Sequence, residues 1–322
     1  MPSDQGILVT GLPRSGTSWI GKMLEASDEV LYVNEPLKPQ QYPGRSPGIL
    51  NAEVSQPYQY ICADNDERWT AAFNDTLLLR YHLVAEIRRN HAPHALAQVV
   101  KNSADFTIGR LRRRRALLDD PFGVMSAAWF AQRLGCRVVV SVRHPLSFMG
   151  SWRRLGWKPH LHALLAQPLL MRDLLGPYED ELRAVADSPD PVAKAAVLWR
   201  VTYDALGDLD ARQPGLLYLR RYEDLATDPE AGFRELYALC GLTWTERARK
   251  RIAWATTDHG KAKAQRTWTG VLTRTAFRPM DSRSSLGSFR DRLSRQEIDQ
   301  VLEITGPVAA RYYDAKDGVT PV

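Results

Sequence analysis

Gly11-Leu12-Pro13-Arg14-Ser15-Gly16-Thr17-Ser18 follows the apolar run Ile7-Leu8-Val9-Thr10 and opens an amphipathic helix. Strand, glycine loop and helix in that order build a cradle for a phosphate. Successive backbone N–H groups turn inward, and the helix N-terminus behind them carries partial positive charge. Gly11 and Gly16 hold the ends of the turn. The spacing is that of a Walker A loop, but Thr17 stands where a nucleoside triphosphatase has its lysine, and the cation inside the loop is Arg14.

A second strand-to-helix junction carries the same kind of chemistry. Val138-Val139-Val140-Ser141-Val142 is a buried-type strand that ends in Arg143-His144-Pro145, and Ser151 follows in the next helix. An arginine at the carboxyl end of a parallel strand can fork onto two phosphate oxygens, and Ser151 can add a hydroxyl. Pro145 suits the first turn of that helix. Between the two junctions, Val30-Leu31-Tyr32-Val33 reads as another short strand with Glu35 just beyond it, in Asn34-Glu35-Pro36.

Taken together, these motifs resemble those of sulfotransferases that use 3′-phosphoadenosine 5′-phosphosulfate (PAPS) as donor. The resemblance implies that Arg14 and the Ser15, Gly16, Thr17 and Ser18 amides hold the 5′-phosphosulfate, and that Arg143 and Ser151 hold the 3′-phosphate. An arginine in the loop with a glutamate at the end of the next strand is similar to the tyrosylprotein and bacterial glycan or small-molecule members. It implies catalytic roles for Arg14 and for Glu35 as general base. A carboxylate suits that role because the acceptor hydroxyl must lose its proton as it attacks sulfur. Tyr222, in Tyr222-Glu223-Asp224-Leu225, matches the family's tyrosine near the adenine, and Arg283 and Ser285 fall in a segment similar to the loop that closes over the 3′-phosphate. The donor would be PAPS and the product 3′,5′-adenosine bisphosphate (PAP), with no metal. The acceptor would be a hydroxyl of a small molecule, glycoside or lipid.

The sequence departs from the family at one place. Where relatives commonly have Lys-Asp-Pro, this chain has Asp119-Asp120-Pro121. A cation lost from a transition state that spreads negative charge costs roughly 2–4 kcal/mol of barrier unless it is replaced. Arg14, Lys101 and the Arg112 to Arg115 run are candidate replacements, although most of that run reads as a solvated helix face. Asp119 also keeps two other readings open. One is a P-loop kinase that holds Mg²⁺ between Asp119 and Thr17 or Ser18; the other is a catalytically impaired nucleotide-binding protein on the same scaffold.

With 322 residues and 44% hydrophobic content, the chain can bury one large α/β domain over 1–322. The expected fold is a P-loop NTPase-like, three-layer arrangement around a mostly parallel sheet. Strands are expected over 7–10, 30–33, 116–118, 137–142 and 215–219. Helices are expected over 18–26, 122–134, 145–154, 191–210, 229–240 and 295–313. Segments 38–57 and 156–178 read as insertions that form an acceptor lid. The net charge of +6 suits an anionic donor, while the scatter of the basic residues and the lack of a nucleic-acid motif argue against nucleic acid. Cys62, Cys136 and Cys240 show neither metal-like nor paired spacing, and His160 and His162 are too close for a helical metal pair. The start of the first strand near the N-terminus and the lack of a long apolar run point to a cytoplasmic enzyme without an integral membrane segment. Oligomeric state is not written in these features.

Overall fold

The computed structural model describes residues 5–39, 47–256 and 289–314. Five parallel strands form one sheet: β1 (Ile7–Thr10), β2 (Val30–Asn34), β3 (Arg115–Asp119), β4 (Arg137–Val142) and β5 (Tyr218–Arg221), in the spatial order β2-β3-β1-β4-β5. Register places Leu8 beside both Leu118 and Val138, Asn34 beside Asp119, and Val142 beside Arg221. β1 is buried at every position, as a central strand covered on both faces must be, and its run of Ile, Leu and Val supplies the apolar surface.

Alternate residues of the strands feed two separate cores. Ile7, Val9, Leu117 and Val139 face one side, where they pack with α1 (Thr17–Glu25), α12 (Pro229–Leu239) and α13 (Glu246–Thr256). Leu8, Leu118, Val138 and Val140 face the other, against α5 (Ala127–Gln132), α6 (Pro145–Leu155), α10 (Pro191–Arg212) and α14 (Arg295–Ala309). This period-two partition makes three layers, and with the glycine loop after the central strand it gives the P-loop NTPase-like α/β fold read from the sequence.

Several boundaries differ from expectation for identifiable reasons. The last strand begins at Tyr218, later than the Leu216-Leu217 pair suggests. Gly215, at φ +81°, turns the chain, Leu217 is buried ahead of the strand, and the strand is a half-buried edge ending in two arginines. The helix expected over 122–134 is a 3₁₀ turn (Pro121–Ser126) followed by α5, because Asp120 caps the Phe122 N–H and tightens the first turn. α14 starts on a capping box between Ser294 and Glu297 and ends at Ala309, two residues beyond Pro307.

The long connection from β2 to β3 contains three helices that were not expected, α2 (Glu67–Leu77), α3 (Leu83–Arg89) and α4 (Pro93–Leu111). The arginine run is not a helix face. Arg112 to Arg114 close α4 and turn the chain, with Arg114 paired to Asp28, and Arg115 opens β3 and donates to the Gln5 and Cys240 carbonyls. In the 156–178 segment, α7 (Leu161–Leu165), α8 (Pro168–Leu170) and a π-helical turn (Met171–Leu175) bury Leu161, Leu164, Leu170 and Leu175 in the main core. Those leucines anchor the insertion. α9 (Glu179–Ala186) then leads to α10, and α11 (Tyr222–Thr227) follows β5 directly. In the other insertion, residues 40–46 lie outside the described residues, and Leu50 and Val54 are buried. The three cysteines are free thiols, and among the described residues no helix is long and apolar enough to cross a membrane.

Candidate functional site at the glycine loop

The loop between β1 and α1 is held from three directions. Tyr203 on α10 accepts the Leu12 N–H (3.2 Å) and donates to the Ser141 carbonyl (2.9 Å), while the Ser141 hydroxyl donates to the Ser15 carbonyl (2.7 Å). From α6, the Trp152 indole N–H donates to the Pro13 carbonyl at 2.8 Å. Both glycines are required by shape as well as by dihedral angle. A Cβ on Gly11 (φ +143°) would meet the Ser141 carbonyl oxygen at 2.4 Å, and one on Gly16 (φ +102°) would meet the Tyr222 ring at 2.4 Å.

The Ser15 N–H is committed to the Leu12 carbonyl at 2.9 Å. Of the four expected amides, those of Gly16, Thr17 and Ser18 remain at the start of α1, where N–H groups have no intrahelical acceptor. The Ser15 hydroxyl oxygen and the Arg143 Nε are both buried, with no hydrogen-bond partner among the described residues. Buried donors left without partners beside an anion-type helix N-terminus fit a phosphate-bearing ligand.

Arg14 and Arg143 converge on this loop. Arg14 stands at φ +79°, an uncommon conformation for a side-chain-bearing residue, and its Nε donates to the Ser151 hydroxyl oxygen at 3.2 Å. Arg143 donates to the Arg14 carbonyl at 2.9 Å and lies over the Tyr222 ring, 4.7 Å from its centroid. The Trp199 indole N–H donates to the Arg143 carbonyl at 2.8 Å, which fixes the turn where β4 ends. Glu223 accepts the His144 N–H at 3.0 Å and the Tyr313 hydroxyl at 2.9 Å, tying α11 to the same junction. Arg14, Ser151, Arg143 and Tyr222, separated widely in sequence, thus form one contiguous group at the carboxyl ends of β1 and β4.

Glu35 follows β2 at φ +47°, and its N–H extends the ladder to the Asp119 carbonyl at 2.7 Å. Its carboxylate pairs with Lys38 at 2.8 Å and is close enough to act electrostatically on Arg14. Asp119 is wholly buried at the end of β3. Tyr32 donates its hydroxyl hydrogen to Oδ2, and burial pushes the carboxyl up to about 6 against the opposing pull of the Tyr32, Ser18 and Thr17 hydroxyls. Asp120 has a different job, accepting the Leu37 and Phe122 N–H groups and so shaping both exits of the sheet.

The sequence model of the Sulfotransferase family matches residues 6–246, from β1 to the start of α13. The chain belongs to the sulfotransferase family. Membership supports sulfuryl transfer as the chemistry of the chain. Among solved structures, the chain is similar to a sulfotransferase domain from the Curacin biosynthetic pathway, at 16% identity over 76% of each chain with a TM-score of 0.40. It is also similar to the sulfotransferase domain of the Synechococcus PCC 7002 olefin synthase, at 15% identity over 98% of each chain and a TM-score of 0.45. A third likeness is to mouse sulfotransferase SULT7A1 complexed with PAP, at 13% identity over 98% of this chain and 88% of that one, with a TM-score of 0.46. No curated protein matches the sequence.

For this sulfotransferase, the cations other than Arg14 proposed to offset Asp119 are in the wrong place. Lys101 pairs with Asp105 on the exposed side of α4, and the Arg112 to Arg115 run closes α4 and begins β3, at the end of the sheet opposite the loop. Arg14 stays in place, and three basic residues that the motifs did not single out join it. Lys38 is one, through Glu35. Burial, then Arg143 and Arg154, lowers the pKa of Arg14; burial, then Arg154 and Arg143, does the same for Arg292. Arg154 lies one helical turn after Ser151, so i,i+3 spacing was the available signal. Arg292 follows Phe289, whose backbone comes within 3.0 Å of where a Cβ on Gly150 would stand. Arg283 and Ser285 lie outside the described residues, and among the described residues no cluster of His, Cys, Asp and Glu is grouped to hold a metal ion.

Proposed function

We propose that this sulfotransferase transfers the sulfuryl group of PAPS to a hydroxyl of a small molecule, glycoside or lipid in the cytoplasm. The observation that carries the reading is the convergence of Arg14, Ser151, Arg143 and Tyr222 on the glycine loop. The Gly16, Thr17 and Ser18 amides and Arg14 would take the 5′-phosphosulfate, with Arg143 and Ser151 on the 3′-phosphate and Tyr222 against the adenine side. Glu35 would accept the acceptor's proton as its oxygen bonds to sulfur, the sulfur–oxygen bond to the donor phosphate breaks, and PAP leaves with that electron pair. Arg14, with Arg154 adding to the local positive field, would stabilise charge on the leaving oxygens.

Titration calorimetry with PAP tests the donor site, and transfer of labelled sulfate from PAPS to a panel of hydroxyl acceptors tests the reaction. The reading requires metal-independent PAP binding that Arg143→Ala weakens by at least tenfold, about 1.4 kcal/mol. One observation favours a second reading. Asp119 ends the strand beside β1 and acts on Ser18, where a P-loop kinase holds its Mg²⁺. ATP with Mg²⁺ binding more tightly than PAP would establish that kinase reading in place of the first.

A further inference from the structure

Asp119 lies beneath the first turn of α1, and no part of it is exposed. The groups that bear on its carboxyl include five from the elements around it: Tyr32 from β2, Thr17 and Ser18 from α1, Glu35 from the exit of β2, and Asp120 next along the chain. None of the five is a cation. Lys22 sits 3.6 Å from the centroid of the Tyr32 ring and is paired with Glu25. Oδ2 accepts the Tyr32 hydroxyl, whereas Oδ1 has no hydrogen-bond partner among the described residues. An anion held at the Thr17 and Ser18 amides would therefore stand beside a buried carboxylate whose strongest-acting neighbours carry no positive charge.

We propose that Asp119 takes up a proton when the anionic donor binds, so that a neutral acid with an O–H on Oδ1 occupies the position where relatives carry a lysine. The inference rests on the reading of the loop as the phosphosulfate site and deepens it. The proton comes from solvent, forms one O–H bond and returns when PAP leaves. Burial already lifts this carboxyl to about 6 before any ligand arrives, and a neighbouring anion raises it further. Between the free and bound pKa, affinity for PAP must then fall about tenfold per pH unit as pH rises. Tyr32 opposes the uptake, since its hydroxyl stabilises the ionised form.

The test is calorimetric titration of PAP from pH 6 to 8.5, with and without Mg²⁺, in buffers of different ionisation enthalpy. Wild type is compared with Asp119→Asn and Tyr32→Phe. Subtracting the Asp119→Asn profile removes the titration of the ligand's own phosphates. The expected result is proton uptake by wild type that Asp119→Asn lacks, with Asp119→Asn binding about tenfold more tightly at pH 8. Tyr32→Phe, which keeps the charge inventory, should move the decline in affinity to higher pH; this result supports the proposal even where Asp119→Asn fails to fold. Identical pH profiles for wild type and Asp119→Asn overturn it while leaving the donor site standing. A Mg²⁺ requirement that Asp119→Asn abolishes also overturns it, because the carboxylate then holds a cation in place of a proton. PAP binding to none of the three proteins at any pH removes the donor reading on which the inference rests.

Discussion

The Nε of Arg14 donates to the hydroxyl oxygen of Ser151 across 3.2 Å, joining the loop expected to hold the 5′-phosphosulfate to the helix expected to hold the 3′-phosphate. The two halves of the proposed donor site are thus mechanically linked. Ser151→Ala should weaken PAP binding by roughly tenfold, in line with about 1–1.5 kcal/mol for one hydrogen bond, and Arg14→Ala by more, because a charge-assisted contact is lost. The double variant should lose less than the sum, as expected for residues in contact. Calorimetry on the four proteins gives the coupling directly.

Glycine at position 16 is required by its surroundings, and glycine at 156 only by its dihedral angle. Gly16→Ala drives a Cβ against the Tyr222 ring at φ +102°, whereas Gly156→Ala, at φ +62°, meets nothing within 4 Å. We expect losses of about 2–4 kcal/mol for the first and about 1 kcal/mol for the second. Urea midpoints with unchanged slope would measure both; equal losses would show that the Tyr222 contact does not matter.

Stability should fall as pH rises through the titration of Asp119. Its carboxyl sits at about 6 in the folded protein against an ordinary 3.8, so the native state binds more protons than the unfolded state between those values. The sign is that of a raised acid: its protonated form is favoured by folding, and up to about 3 kcal/mol disappears between pH 4 and 6 and does not return above it. Asp119→Asn should lose this share of the pH dependence, keeping the part due to the buried Asp120 and Glu223 carboxyls, and should be more stable than wild type at pH 7.5. Urea unfolding of both proteins at pH 4.5, 6 and 7.5 checks the slope.

Glu35→Gln keeps the size and the exit of β2 but removes the proposed proton acceptor. Turnover should drop by about 10²–10³-fold while PAP affinity changes less than about twofold. A fall in PAP affinity as large as the fall in turnover would place Glu35 among the donor ligands and take away its role as base.

How far the sequence could be read depended on whether a feature was local. Val138-Val139-Val140 announces a buried strand and Pro145 a helix start because each signal acts within a few residues, and both boundaries of β4 fell where expected. α4 was not legible: its apolar residues include exposed Val100, Ile108 and Leu111, so no clean stripe marked a buried face. The leucines at 161–175 carried a correct signal of apolar packing. Their destination, the main core, depended on where α7 and α8 settle.

The order of strand, glycine loop and helix, the Arg143-His144-Pro145 junction and the place of Ser151 were determined by sequence alone, because glycine dihedrals, proline stereochemistry and helix N-termini act over a few bonds. Tertiary structure decided which charges share the site. It set Arg154 beside Arg14, left Lys101 on a distant helix, and buried Asp119 beneath Ser18. Electrostatic interaction depends on distance through space and on exclusion of water, and the packing of the three layers fixes both.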